Sequence, residues 1–201
     1  MVGLVQFLWD FIAANATRKL CGGLIQWIQI VTDIALTEYL TQEVEMWRSM
    51  NANPGAYILK QFLLRNAQEM PGVPRPRRYR QGIIKQCYNN SWKLVKRSRR
   101  DLTYVEGYCY SRTFHYAFQH AWVVDERDEL IDITLDSPEN YSYIGVKISK
   151  EDYIFQTTKG WHCVFDTGVG INIDYIVQRD PSFIDELPEK LGARYRKIAA
   201  G

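Results

Sequence analysis

A thiol, an imidazole and a carboxylate follow one another in the middle of this chain. Cys87 stands in Gln86-Cys87-Tyr88-Asn89-Asn90-Ser91-Trp92, His120 in His120-Ala121-Trp122-Val123-Val124-Asp125, and Asp132 in Leu130-Ile131-Asp132-Ile133-Thr134. That order suits an activated sulfur nucleophile. Thiolate is the attacking form. A free cysteine, with a pKa near 8.5, is mostly protonated at neutral pH, and a helix N-terminus or an imidazolium lowers such values to roughly 3.5–7.5. Cys87 falls where a helix is predicted to begin, and the unpaired backbone N–H groups there favour an anion and can hold an oxyanion. His120 would take the thiol proton and deliver it to the leaving group, work that typically contributes about 10²–10⁴-fold. Asp132 would accept from the other ring nitrogen and fix the tautomer.

Each of the three has a plainer use. A lone cysteine on an apolar helix face is usually core, a lone histidine can be a satisfied core residue, and an aspartate can cap a turn. Their order favours the catalytic reading. Asp132 also stands between two isoleucines, where a buried carboxylate needs a partner. Other constellations are weaker. Cys109 has His115 nearby but no helix start, and His162 and Cys163 are adjacent, so on a strand they point to opposite faces. Both cysteines read as core. Glu106 reads equally well as lining the cleft and as a solvated strand position.

Residues 2–70 read as helices, with a turn at Asn53-Pro54-Gly55 and a helix from Ala56 to Gln68. Three prolines between Pro71 and Pro76 mark a boundary. Cys87–Arg97 is predicted helical. Strands are predicted at 103–110, 120–125, 130–135, 143–148 and 161–166, with 171–177 a further candidate, and a helical tail runs from Asp180. Helices first and strands afterwards give an α+β fold with an antiparallel sheet. An N-terminal helical part, 1–70, precedes an α+β domain, 71–201, the two packed as one unit. Side chains alternate along strands, so a two-residue hairpin loop would put His120 and Asp132 on opposite faces. The catalytic reading requires an odd-numbered loop or a bulge between Asp125 and Leu130.

A cysteine at a helix start, the Val105-Glu106-Gly107-Tyr108 strand, His120-Ala121-Trp122 and then Asp132-Ile133-Thr134 together resemble the transglutaminase-like branch of the papain-like thiol enzymes. The resemblance spans roughly residues 80–136. It implies a Cys87-His120-Asp132 triad and a thioester mechanism acting on an amide, with hydrolysis or acyl transfer as the outcome. Gly107-Tyr108 and Ala121-Trp122 match its framework, so Trp122 joins Glu106 as a cleft candidate. Gln81-Gly82, with Cys87 six positions after the glutamine, is similar to the papain arrangement in which a glutamine donates to the oxyanion. Gln81 and Gln86 are both candidates for that second donor, beside the backbone N–H of Cys87. No metal or cofactor is implied.

The apolar fraction of 46% in 201 residues is ample for a core. The net charge of +2 hides an asymmetry: Pro71–Arg100 holds ten Lys or Arg and no Asp or Glu, leaving a balance of −8 elsewhere. That segment could grip phosphates or draw in acidic peptides. The favoured reading is a solvated basic face countered by the acidic tail around Asp185, Glu186 and Glu189. Four cysteines without metal-site spacing, and a segment Gly3–Ala14 interrupted by Asp10 with no basic residue before it, read as a reduced, cytoplasmic protein with no membrane span. The expected partner is a protein or peptide substrate, nucleic acid is not favoured, and composition sets no oligomeric state. The alternative function is a catalytically silent binding protein on a papain-like scaffold, associated with nucleic acid through residues 75–100.

Overall fold

The computed structural model describes residues 35–159, 163–167 and 170–199. The helical periodicity read over Leu4–Ile34, and also Cys21 and His162, lie outside the described residues. Residues Ala35–Gly201 cluster as one compact unit. This unit contains elements from both sides of the proline-rich boundary. Helix α1, Leu36–Ser49, buries Leu36, Leu40 and Val44, one residue per turn on a single face. Glu69 caps its start: its carboxylate oxygens accept from the Leu36 and Thr37 N–H groups at 3.0 and 2.9 Å. Helix α2, Ile58–Asn66, buries an unbroken run from Ile58 to Leu63. A short strand β1, Glu69–Pro71, follows.

Helix α3 spans Cys87–Arg97, the range predicted from sequence. Strands β2 (Thr103–Ser111), β3 (Tyr116–Val124), β4 (Leu130–Ile131) and β5 (Tyr141–Ile148) join β1 in one antiparallel sheet of order β1-β5-β2-β3-β4. The fold is therefore α+β. The sheet buries both faces. On one face Tyr104, Tyr108, Ala121, Val123, Ile144 and Val146 pack with α1, α2 and α3. On the other, Val105, Cys109, Trp122, Val124 and Tyr143 form a second cluster.

Three strand expectations fall short. The strand predicted at 130–135 is only Leu130–Ile131, because the chain bends from Ile133 on, where the Asp132 carboxylate accepts from the Thr134 and Leu135 N–H groups. Over the predicted strand 161–166, the described residues Cys163–Asp166 form bends, with an isolated bridge from Asp166 to Ile171. Residues predicted as a strand at 171–177 instead begin helix α5, Ile173–Arg179. Ile171, Ile173, Tyr175 and Val177 alternate as in a strand, but the Asn172 side chain accepts from the Tyr175 N–H at 3.2 Å and caps a helix there. Helix α4, Lys150–Thr157, was not anticipated; Ser149 caps it through the Asp152 N–H at 3.0 Å. The tail forms a 3₁₀ turn at Pro181–Glu186 and helix α6, Glu189–Ala199. Among the described residues no helix is long and apolar enough to cross a membrane.

The centre of the sheet depends on a glycine pair. Gly107 of β2 faces Gly145 of β5 and, on its other side, His120 of β3. A Cβ on Gly107 would lie 2.0 Å from the Ile144 carbonyl oxygen, and one on Gly145 would lie 2.5 Å from the Trp122 ring. The carbonyl cannot yield without moving the strand. Gly107→Ala is expected to cost roughly 3 kcal/mol or more in a denaturant melt, at the upper end of overpacking penalties.

Candidate active site

Strand β4 pairs only with Val123 and Val124 of β3. The rest of β3 has β2 on one side and no strand on the other. Helix α3 covers this free edge, and the Ser91 hydroxyl donates to the Ala121 carbonyl at 3.0 Å, as a strand neighbour would. The start of α3 therefore meets the edge position His120. Val124 pairs with Leu130, so five residues form the loop. This odd count puts His120 and Asp132 on the same face, as the catalytic geometry requires.

His120 Nε2 lies 2.7 Å from Asp132 Oδ2, with both side chains almost fully buried. Cys87 also acts on the imidazole, favouring its charged form. Because Nε2 is held by the carboxylate, Nδ1 is the ring nitrogen left for the sulfur. Cys87 retains 9% of its surface and His120 only 2%. Asp132 is firmly held. Its Oδ1 accepts from the Thr134 and Leu135 N–H groups at 2.7 and 3.3 Å, and its Oδ2 also accepts from the Tyr143 hydroxyl at 3.0 Å.

Burial alone would lower the His120 pKa. The Asp132 charge and hydrogen bond, with a smaller contribution from Cys87, outweigh it and raise the imidazole from 6.5 to about 9. Burial likewise opposes ionisation of Asp132, but the His120 charge and the donated hydrogen bonds hold its carboxyl below the usual range. At neutral pH the buried pair is thus imidazolium and carboxylate. The helix start supplies a further positive field: no side chain caps α3, and its first-turn N–H groups have no helical acceptor.

Asn90 ties these parts together, a role that sequence reasoning missed. Its Oδ1 accepts from the Ile83 N–H at 3.1 Å, and its Nδ2 donates to the Ile83 carbonyl at 2.7 Å and to Thr134 Oγ1 at 3.0 Å. The Gly82 N–H donates to the Ile133 carbonyl at 2.6 Å. Helix α3, the segment before it and the turn after Asp132 are thereby joined. The available signal was Asn90 and Ser91, polar residues three and four positions after Cys87 and so on its helix face. Tyr143 gave no comparable signal.

The other candidates have different positions. Glu106 is neither cleft lining nor solvated: at 2% exposure its carboxylate accepts from the Val164 and Phe165 N–H groups at 2.8 and 3.1 Å and from the Tyr104 hydroxyl at 2.7 Å. Burial raises its pKa to about 7, against the pull of those donors. Trp122 is fully buried rather than cleft-lining, its ring 6.4 Å from His120 and inclined by 18°; its Nε1 has no hydrogen-bond partner among the described residues. Burial of its flat ring beside the imidazole makes it a support. The Gln81 amide is committed to Asp136. Gln86 stays beside the helix start, its Oε1 accepting from Asn89 at 3.0 Å. Cys109 and Cys163 are buried thiols whose pKa burial raises. Among the described residues no cluster of His, Cys, Asp or Glu could hold a metal ion.

No protein-family model, no curated protein and no solved structure matches this chain.

The charge pair has a pH signature. A raised histidine pKa contributes stability in full below 6.5 and loses it as pH rises through about 9. A lowered aspartate pKa contributes above 3.8 and loses it as pH falls through the folded value. The pair therefore stabilises most between these limits. In denaturant melts, the advantage of the native chain over Asp132→Asn is expected to shrink by roughly 3 kcal/mol from pH 6 to pH 9.5. A second variant, Asn90→Ala, leaves the Ile83 N–H without its partner and its carbonyl with only the Gln86 N–H, and is expected to lower stability by about 1–3 kcal/mol in the same melts.

Proposed function

We propose that this chain is a cysteine-dependent hydrolase or acyltransferase of the papain-like, transglutaminase-like type, acting on an amide. The observation that carries the reading is the buried His120–Asp132 pair, 2.7 Å apart, with Cys87 at the uncapped start of α3 acting on the same imidazole. Cys87 Sγ attacks the carbonyl carbon as thiolate, and a tetrahedral oxyanion forms. The backbone N–H of Cys87 donates to it, and the Gln86 amide, next in sequence, is the second donor we propose. His120 gives its proton to the leaving amine as the C–N bond breaks, leaving a thioester on Cys87. The neutral imidazole then takes a proton from water or from an acceptor amine, which attacks the thioester carbon. The acid or the new amide departs, and the sulfur returns to its starting state with the proton on the Cys87–His120 pair. Throughout, Asp132 holds Nε2–H in place and so presents Nδ1 to the sulfur and substrate.

Iodoacetamide labelling of Cys87, followed by mass spectrometry at pH 6.5, tests this. Cys87 is expected to label faster than Cys109 and Cys163, and His120→Ala should slow it by about 10²-fold, within the range for removing an acid–base partner. Equal rates in the native chain and His120→Ala, with both folded by circular dichroism, would sink the proposal.

A further inference from the structure

The basic segment is not neutralised by the acidic tail. Glu186 pairs with Arg65 and hydrogen-bonds Gln61, and Asp185 pairs with Arg196. None of the ten Lys and Arg residues between Pro71 and Arg100 forms a salt bridge among the described residues, and all but Arg75 are exposed. This excess positive charge lies on both sides of Cys87 in sequence, and on α3 it occupies the exposed side of the helix opposite the buried Cys87, Ser91 and Val95. A groove runs along the start of α3, lined by Lys85, Gln86, Tyr88, Asn89, Trp92 and Tyr153. Trp92 and Tyr153 are stacked within it, 4.0 Å apart and inclined by 21°. One helical turn beyond Asn89 stands Lys93, and Lys96 and Arg97 follow at the next turn, all exposed. Beside the groove, Ile83 and Ile84 precede the helix at 58% and 64% exposure, and Ile154 and Phe155 of α4 flank Tyr153 at 51% and 59%.

We infer that this groove is the substrate channel of the thiol site and that it takes an extended acidic peptide: apolar side chains lie beside Tyr88 and the Trp92–Tyr153 stack, while carboxylates run along Lys85, Lys93 and Lys96. The inference rests on the thiol reading above, because a sulfur nucleophile needs an acyl carbon. A peptide supplies one and a nucleic-acid strand does not. The unpaired cations select for negative charge, and long-range attraction raises the encounter rate. Helix α3 carries both the nucleophile at its start and the cationic row behind it, which fixes the direction in which the acidic residues lie.

A fluorescein-labelled peptide that alternates glutamate with leucine and phenylalanine tests this by anisotropy against the full chain, beside its glutamine counterpart and a single-stranded oligonucleotide of the same length. The acidic peptide is expected to bind, to weaken as salt is raised, and to slow iodoacetamide labelling of Cys87. Replacing Lys85, Lys93 and Lys96 together by Glu should weaken it about tenfold, the sum of three exposed charge contacts, with the melting temperature unchanged. If that variant melts lower, the triple alanine variant gives the same reading with a smaller loss. The proposal is overturned if the glutamine peptide binds equally well, if the oligonucleotide binds more tightly, if the lysine variants bind as the native chain does, or if bound peptide leaves Cys87 labelling unchanged. Acidic-peptide binding that protects Cys87, together with labelling indifferent to His120→Ala, would keep the channel and remove the thiol chemistry.

Discussion

A buried imidazolium–carboxylate pair is costly unless every polar atom around it is satisfied. His120 and Asp132 meet that demand at the edge of the sheet. Asp132 spends its oxygens on the Thr134 and Leu135 N–H groups, the Tyr143 hydroxyl and the imidazole, and so it is held from its own turn, from β5 and from β3. The requirement shapes the surroundings. Strand β4 must end early to free the β3 edge, the loop before it must be odd, and α3 must cover the exposed strand. Asn90 and Ser91 are polar residues on a buried helix face because they join α3 to these strands. Remove the pair, and the short β4 and the polar face of α3 have no evident purpose.

Much of this was legible in the sequence because it depends on local periodicity. The Cys87–Arg97 helix has buried Cys87, Ser91 and Val95 at helical spacing and ends where Ser98 turns extended. The central strands are rich in β-branched and aromatic residues, as strands buried on both faces are. The His120–Asp132 convergence followed from loop parity, which is a counting argument. What was not legible depends on partners distant in sequence. Glu106 looks like a strand carboxylate with water on one side; its partners, Val164 and Phe165, are nearly sixty residues away. Trp122 looks like a cleft aromatic until the tight approach of β5 is known. The failure at 171–177 is of another kind. Two local signals competed there, apolar alternation and the Asn172 cap, and the cap prevailed.

The acidic tail shows how composition misleads. The excess of acids outside the basic segment made mutual compensation a natural reading. In the fold Glu186 and Asp185 meet Arg65 and Arg196, cations outside the segment. Net charge therefore gives no account of which surfaces carry field, and here the cations of the basic segment form no ion pair among the described residues.

Strand β5 contributes one hydroxyl to the pair, yet it also sets the tolerance of the site through a residue with no side chain. Gly145 lets the Trp122 ring lie against its backbone, and that ring stands alongside the His120 imidazole. A methyl group at 145 would push the indole, and the indole would push the histidine. The allowed sequence drift of the centre is thus limited by a backbone position two strands away, which an inventory of reacting groups would pass over.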